Sequence, residues 1–419
     1  MGDEAAVALA SAAPLEDEAQ ARRERTLALW ITNVSHMSNH FQNQMVSVLY
    51  PVMMAELGFN YAQLGLLVAI RSTLQSGAQV IYGFLAPFMR RPMLLFFGNV
   101  VLTLGTLLSG LSNSFAMLVG ARTVAAVGSS AQHPVGSSML AGYFPDKKAT
   151  VLSLNTGLAS IGSLIAPLAM ALLLNFMGWR QIFLVIAPIS AVIAMTYLAL
   201  RSRIGGVTLT GSKRDKLKAG GASYLRAIKN RNILVLSLVF MVGAAGRGDG
   251  VNATFLAPHF MNDLLLSTAI VGVALAALQI GSIGGPLGFG WLADKISHRT
   301  VMQVSLVLSA IFSVLVARAG ADPVVLIPLV VLYGAAVTSR NPLTQALVAD
   351  ALSDEDRDAA FSLYYFIGFI STPLWSLITG GLMQVAGFET AFTVLAASYV
   401  VGVVILFFLD EPKRVARPA

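Results

Sequence analysis

The 419-residue chain contains no cysteine, which excludes disulfide bonds, thiolate metal sites and thiol catalysis. Charge is also scarce, because charged residues make up 12% of the chain and hydrophobic residues 56%. A water-soluble domain of average composition carries about 25% charged residues. No Walker phosphate loop, metal-ligand cluster or Ser-His-Asp spacing is recognisable. We therefore expect no enzyme, no cofactor, no metal site and no ATP-driven pump.

Long apolar stretches recur along the whole chain, and the mean hydropathy is +0.73. A helix needs about 20 apolar residues to cross the hydrocarbon core of a bilayer. The stretches have this length and lack the strict alternation of barrel strands, so they predict an all-α integral membrane protein with twelve transmembrane helices. We call these helices spans 1 to 12, predicted at residues 27–54, 61–87, 93–111, 115–142, 149–175, 180–200, 232–261, 267–293, 300–320, 323–350, 357–384 and 388–410.

Lys and Arg concentrate on one side of the predicted spans. Of the 28, two lie in loops of the opposite side, Arg180 and Arg318. By the positive-inside rule this bias predicts a multi-pass protein of the cell inner membrane with both termini cytoplasmic. The net charge of +7 then reflects topology, and no nucleic-acid partner is expected. The first 25 residues mix acids and bases without an apolar core, which indicates a solvated tail and not a signal peptide.

The chain repeats itself with an offset of about 207 residues. Residues 83–87 (GFLAP) match residues 290–294 (GWLAD), and His133-Pro134 matches Asn341-Pro342. The repeat predicts two pseudo-symmetric six-helix bundles that enclose a site near the bilayer midplane. We assign a cytoplasmic tail, an N-terminal bundle, a cytoplasmic linker, a C-terminal bundle and a second tail to residues 1–26, 27–200, 201–231, 232–410 and 411–419.

Two motifs resemble signatures of the major facilitator superfamily of secondary transporters, and the resemblance covers essentially the whole chain. Residues 290–299 (GWLADKISHR) look like the family's cytoplasmic loop signature, and Arg122 precedes Gly128 as in its signature on the fourth helix. The resemblance implies alternating access and gating contacts by Asp294 and Arg299. In the first half Pro87 replaces the equivalent acid, so the gate contact is not carried over there.

Within that superfamily the chain is most similar to the fosmidomycin-resistance type of drug and organic anion transporter. The likeness rests on residues 36–39 (HMSN) with Tyr50-Pro51, and on residues 128–134 (GSSAQHP). These relatives carry an acid directly after the asparagine, where this chain has His40, so their coupling chemistry does not transfer to this position. The pattern on span 5 loosely resembles that of antiporters, which implies efflux.

Charged residues inside the spans indicate the cargo. A charge at the bilayer centre costs about 2.5–3.5 kcal/mol on insertion scales, so such residues usually face a cavity or a partner. Four arginines lie within predicted spans against one central acid, Asp249: Arg71, Arg122, Arg247 and Arg340. This excess predicts an anionic substrate, because a guanidinium binds carboxylate or phosphonate bidentately. The alternative is that these arginines pair with helix carbonyls or with Asp249 and hold helices together.

Helical spacing places further polar residues on cavity-facing stripes. The alternative is hydrogen bonding between helices, worth about 0.6 kcal/mol per contact. The predicted substrate-binding residues are His36, Asn39, His40, Asn43, Arg71, Gln75, Arg122, His133, Asn252 and Arg340. Asp249 is the first candidate for proton coupling, and His133 is the second, since histidine titrates near neutral pH.

The sequence therefore predicts a monomeric, proton-coupled secondary transporter for a small organic anion or amphiphilic drug. Its partners would be the substrate, protons and membrane lipid. Drug or phosphonate efflux and uptake of a carboxylate by symport both remain open. A lipid flippase or a non-transporting membrane receptor on the same fold is a further alternative.

Overall fold

A computed structural model describes residues 2–86, 88–204, 225–243, 251–351 and 357–410. Side chains are described from Gln20 onward, apart from a few that include Asn252. All regular structure in these ranges is helical. In the N-terminal half, spans 1 to 3 are Gly2–Leu57, Tyr61–Leu85 and Arg91–Gly110; span 4 is Phe115–Ser129 continued by Gln132–Gly136 and Ser137–Tyr143; and spans 5 and 6 are Lys148–Leu173 and Trp179–Leu200. In the C-terminal half, span 7 is Arg231–Met241 with Val251–Pro258 and His259–Asp263, and spans 8 to 10 are Thr268–Lys295, His298–Arg318 and Pro323–Asp350. Spans 11 and 12 together form Arg357–Ile405.

Spans 11 and 12 are separated by a single non-helical residue, Gly387, whose φ is +80°. Glycine has no Cβ and adopts this conformation at little cost. At the other end of the chain, the helix of span 1 begins at Gly2, so the predicted tail continues this helix. The side chains of residues 20–27 are mostly exposed, as expected for a helix that has left the bilayer.

Eight helices in the described ranges are long and apolar enough to cross a membrane, with spans 11 and 12 counted together. Spans 1, 4 and 7 do not meet that standard. Span 1 carries a polar stripe formed by His36, Asn39, His40 and Asn43. Span 4 is interrupted at residues 130–136 by a segment with a wider turn. Polar or irregular backbone at membrane depth is tolerated where it is buried in protein or lines a cavity. Spans 1 and 4 therefore border the interior, whereas span 7 falls short because residues 244–250 in its middle lie outside the described ranges.

Side-chain caps fix where several helices begin. The Asn60 side chain accepts from the Gln63 amide at 2.9 Å, and the Gln63 side chain accepts from the Asn60 amide at 2.9 Å. This reciprocal capping box satisfies two of the amides that a helix start leaves without partners. Ser114, Ser267 and Ser297 cap spans 4, 8 and 9 through single hydrogen bonds.

The two halves meet tightly at the end of the bundle where spans 1 and 2 are joined, which we call the arginine-poor end. Span 2 packs on span 11 with Gly65 against the Ser376 carbonyl and Gly380, and a Cβ at Gly65 would overlap them. Span 8 packs on span 5 in the same way, through Gly272 and Ala171. Small residues allow such close backbone approach between membrane helices.

A polar contact joins the halves at the same end. The Tyr61 hydroxyl on span 2 donates to Asp263 Oδ1 of span 7 at 3.1 Å. The other Asp263 carboxylate oxygen lies 2.8 Å from His259 Nδ1, and the His259 ring stacks on Phe388 with the ring centroids 3.6 Å apart. Asp263 therefore connects three elements drawn from both halves.

The opposite ends of the same spans are surrounded by open space. A Cβ added to Gly77 or Gly83 of span 2, or to Gly157 of span 5, would meet no atom within 4 Å. Gly77 and Gly83 follow Gly65 by about three and five turns, and Gly83 lies on the same helix face as Gly65. Span 2 thus packs closely on the other half near Gly65 and lacks such a contact at Gly83, towards the end that is rich in Lys and Arg.

The two arginines in arginine-poor loops both pair with acids. Arg180 forms an ion pair with Glu56 and also donates to the Ser112 carbonyl at 3.0 Å. Arg318 contacts Glu389 at 2.8 Å. The hydrogen bond from Arg180, with a second from the Trp179 indole, lowers the pKa of Glu56. These acids neutralise the two arginines that would otherwise weaken the excess of positive charge on the opposite side of the membrane.

Candidate functional site

Three histidines predicted to lie on cavity-facing stripes come together in space. The ring centroid of His36 lies 4.8 Å from that of His40 and 5.0 Å from that of His133, and the last two are 5.7 Å apart. All three pairs meet edge to face. His36 is buried, whereas His40 and His133 are half-buried. We call these residues the histidine triad.

A local irregularity in span 4 positions His133. Residues Gln132–Gly136 form a π-helical turn, which contains Pro134 and accommodates one more residue than an α-helical turn. Proline lacks the amide hydrogen of a regular helix, so a wider turn is a natural response to it. Such turns are frequent at functional sites.

A hydrogen-bond network links spans 1, 2 and 4 beside the histidine triad. Asn39 Nδ2 donates to the Ser129 carbonyl at 3.0 Å, and Asn43 Nδ2 donates to Asn39 Oδ1 at 2.9 Å. On span 2, Gln75 Nε2 lies 3.4 Å from Ser129 Oγ, and the Gln75 carbonyl accepts from Ser130 Oγ at 3.0 Å. The polar stripes of spans 1 and 2 thus converge, and the expected hydrogen bonding between helices also occurs.

Arg71 and Arg122 lie near one another, deeper in the N-terminal half. Arg122 is 2% exposed and close enough to Arg71 for mutual repulsion. The Arg122 guanidinium also lies 5.7 Å from the Phe183 ring centroid. Within the described ranges no carboxylate forms an ion pair with Arg71 or Arg122, and the Nε atom of each has no hydrogen-bond partner there. Arg122 is thus within electrostatic range of Arg71, and neither guanidinium has a described acid to offset its charge.

The arginine pair and the histidine triad lie at different depths. Arg122 precedes His133 by 11 residues on span 4, so a rise of 1.5 Å per residue separates them by about 16 Å along the helix axis. Arg122 is on the side of the arginine-poor end, and His133 is on the side of the Lys- and Arg-rich end. Asn39, Ser129 and Gln75 lie between them. The candidate site is therefore an elongated polar column in the N-terminal half.

Arg340 is placed elsewhere, inside the C-terminal half. It is fully buried, its Nη2 donates to the Gly243 carbonyl at 3.3 Å, and its guanidinium lies 5.4 Å from the Tyr399 ring centroid. The Tyr399 hydroxyl donates to the same carbonyl at 3.4 Å. These contacts favour the alternative reading for Arg340, in which an embedded arginine holds helices together through a carbonyl. Its predicted contact with substrate stays a prediction.

Other predicted residues fall outside these two groups. Asp249 lies outside the described residues, and for Asn252 only the helical backbone is described. Asp294 is exposed at the end of span 8. Arg299 Nη1 donates to the Leu409 carbonyl at 3.4 Å, and its guanidinium lies 5.7 Å from the Phe407 ring centroid. The described contacts of Arg299 therefore lie within its own half.

Sequence reasoning missed two polar partners of the site. Ser163 Oγ on span 5 lies 3.3 Å from His40 Nδ1. Gln132, next to His133, accepts from Ser35 Oγ at 2.8 Å and donates to the Thr32 carbonyl at 3.1 Å, which holds span 4 against span 1. The sequence signal for both residues was a serine or glutamine in an otherwise apolar helix. Periodicity assigns such a residue to a face but does not identify the neighbouring helix.

Comparison with known proteins gives consistent matches. The family model described as Major Facilitator Superfamily matches residues 32–248 and again residues 238–419. A putative metabolite transport protein of Haemophilus influenzae is 25% identical over 85% of this chain and 88% of its own length. The sialic acid transporter NanX of Escherichia coli is 22% identical over 70% of each chain.

A solved structure supports the same fold. The bacterial homologue of the human lysosomal transporter Spinster, crystallised in an inward-facing, unoccupied conformation, superposes with a TM-score of 0.72. It is 17% identical in sequence, and the match covers 92% of this chain and 95% of that one. The predicted all-α membrane fold of two six-helix bundles is confirmed.

Proposed function

The chain belongs to the major facilitator superfamily, a family of secondary transporters and not of enzymes, and on that premise we propose that its cargo is a small organic anion. We infer that the protein moves this anion across the cell inner membrane by alternating access, coupled to protons. Both termini would be cytoplasmic, and the working unit would be a monomer.

The observation that carries the proposal is the arginine pair. Arg71 and Arg122 are close together, and no acid in the described ranges pairs with either. A buried Arg122 with the half-buried Arg71 nearby and no described counterion is costly, so a ligand that brings negative charge to them gains that energy on binding. A carboxylate or phosphonate matches the two planar donors.

The packing of the two halves supports an inward-facing state. The tight contacts through Gly65 and Gly272 lie at the arginine-poor end, and the open space around Gly77 and Gly157 lies towards the other end. If the Lys- and Arg-rich end is cytoplasmic, the polar column opens to the cytoplasm in this state. Rocking of one half against the other would close that side and open the arginine-poor end.

Proton coupling is proposed for Asp249 first and His133 second. Replacement of Asp249 by asparagine should abolish substrate-dependent proton movement, because the amide cannot exchange a proton. The measurement uses proteoliposomes loaded with a pH-sensitive dye, with Asp146→Asn, an exposed acid in the loop after span 4, as a matched control. Proton movement that persists in Asp249→Asn would show that another group carries the proton.

The cargo itself is identified by a binding panel. Purified protein would be heated with alkyl phosphonates, aromatic carboxylates, N-acetylneuraminate and neutral analogues of each, and the shift in melting temperature recorded. Anions should stabilise the protein, and their neutral analogues should not. Stabilisation by the neutral compounds alone would favour an amphiphilic drug as cargo and would contradict the proposal.

The direction of transport has two readings. The likeness to the fosmidomycin-resistance type stays a prediction and supports efflux by antiport, while the similarity to a sialic acid transporter supports uptake of a carboxylate by symport. Growth with toxic phosphonates separates them, because efflux protects cells and uptake sensitises them. A lipid flippase would require lipid scrambling in vesicles, and a receptor would bind the anion without moving it.

A further inference from the structure

We propose that the histidine triad, His36, His40 and His133, binds one divalent transition-metal ion such as Zn²⁺, Co²⁺ or Ni²⁺. Each ring offers one nitrogen, and the three nitrogens lie within 4.8 Å of one another. Neutral imidazole is the commonest metal ligand in proteins. The sequence predicted no metal site, because the ligands are distributed over two spans that periodicity cannot bring together.

The distances suit a tetrahedral ion after small side-chain movements. Zinc binds histidine nitrogens at 2.0–2.1 Å, which puts the ligand atoms about 3.4 Å apart in a tetrahedral site. Rotation of the imidazole rings about their side-chain bonds closes the remaining gap. His40 and His133 are half-buried, and they are therefore the rings with room to turn.

A second observation supports the site, because one of the three rings already has a hydrogen-bond partner that would hold its orientation. Ser163 Oγ lies 3.3 Å from His40 Nδ1, so one nitrogen of this ring has a hydrogen-bond partner and the other would be the ligand atom. Metal-binding histidines usually engage their second nitrogen in such a hydrogen bond, which fixes the ring orientation and the tautomer. Ser163 is itself buried, at 4% exposure.

The chemistry of the donors selects the ion. The chain has no cysteine, and within the described ranges no carboxylate joins the three nitrogens. A set of imidazole ligands suits zinc, cobalt, nickel and copper, whereas magnesium and calcium prefer oxygen ligands. Three protein ligands also leave a fourth position, which water or an anion in the cavity can occupy.

The metal site is independent of the anion site proposed above. His133 lies about 16 Å along span 4 from Arg122, so the two sites are at different depths of the polar column. A metal ion and a proton use the same lone pair of an imidazole nitrogen, so His133 cannot carry a proton while it is a ligand. Metal binding is measured in detergent without transport, and its failure would leave the arginine proposal standing.

The test uses the full chain without a polyhistidine tag, titrated with Co²⁺. Cobalt in a tetrahedral nitrogen site gives a visible absorption band, and the absence of cysteine excludes a thiolate site as its source. We expect one ion per chain, displaced by Zn²⁺ and not by Mg²⁺. His36→Ala and His133→Gln should lose more than about 100-fold in affinity, and Ser163→Ala about 10-fold to 100-fold.

His298→Ala is the matched control, because it removes a histidine at the start of the span 9 helix, far along the chain from the histidine triad, and should keep full affinity. Thermal unfolding of every variant verifies the fold, and His133→Gln retains size and hydrogen bonding if His36→Ala does not fold. A missing stoichiometric band in the unsubstituted protein, or a band that persists in His133→Gln, would overturn the proposal. Loss of the band in His298→Ala alone would place the ion at the surface, which would also overturn the proposal.

Discussion

Replacing Arg122 with glutamine should lower the affinity for an anionic substrate by at least about 30-fold, without lowering the melting temperature of the ligand-free protein. Removing one partner of a buried, hydrogen-bonded charge pair costs about 2–5 kcal/mol, which sets the size of the loss in affinity. The fold should tolerate the change, because no described carboxylate is left without a partner. The affinity is measured by calorimetry with the anion that stabilises the unsubstituted protein most.

Arg180→Gln provides the contrast. Arg180 pairs with Glu56 and donates to the Ser112 carbonyl, so its loss should lower the melting temperature and leave anion affinity unchanged. Arg71→Gln should behave like Arg122→Gln. If Arg122→Gln lost affinity and folded yield in equal proportion, Arg122 would be a structural residue.

The second large effect is expected at the contact between the halves. Leucine at Gly65 would overlap the Ser376 carbonyl and push span 2 away from span 11. Overpacking of this kind costs about 1–3 kcal/mol, and a free energy of that size shifts a two-state equilibrium by about 5-fold to 150-fold. Gly65→Leu should therefore hold the arginine-poor end open and reduce transport by at least about 10-fold.

The absence of cysteine makes this shift directly measurable. A single cysteine introduced by Asn43→Cys should react faster with a membrane-impermeant thiol reagent from outside when Gly65→Leu is also present. Gly77→Leu is the control, because a side chain there meets no atom within 4 Å. Equal labelling rates in the two backgrounds would show that the Gly65 contact does not control access, or that the orientation is reversed.

Much of the architecture could be predicted because hydropathy and loop charge are local properties of the chain. The predicted start of span 2 at residue 61 is its observed start, and the predicted break before Phe388 is the non-helical Gly387. The start of the span 1 helix at Gly2 was not predictable in this way. Hydropathy marks where a helix leaves the bilayer, but it does not mark where the helix ends in water. The π-helical turn at Gln132–Gly136 was likewise missed, since proline signals a disturbance without its type.

Within the site, helical spacing placed Asn39 and Gln75 on polar faces, and both contact Ser129 of span 4; that these faces bind substrate stays a prediction. The separation in depth between the histidine triad and the arginine pair was not predicted, because helical periodicity assigns a residue to a face and not to a depth in the membrane. The same limit applies to Arg340, whose contact with the Gly243 carbonyl depends on how spans 7 and 10 fold against each other.

The backbone contact between Gly65 and Gly380 also bears on how fast the protein can cycle. Side chains that interdigitate lose conformational entropy each time two helices come together, whereas glycine has no side-chain entropy to lose. Separation and reunion of these two helices at this point thus carry little entropic penalty. We expect desolvation and release of the charged cargo to set the turnover rate. The rate should then depend more on the chemical nature of the anion than on temperature.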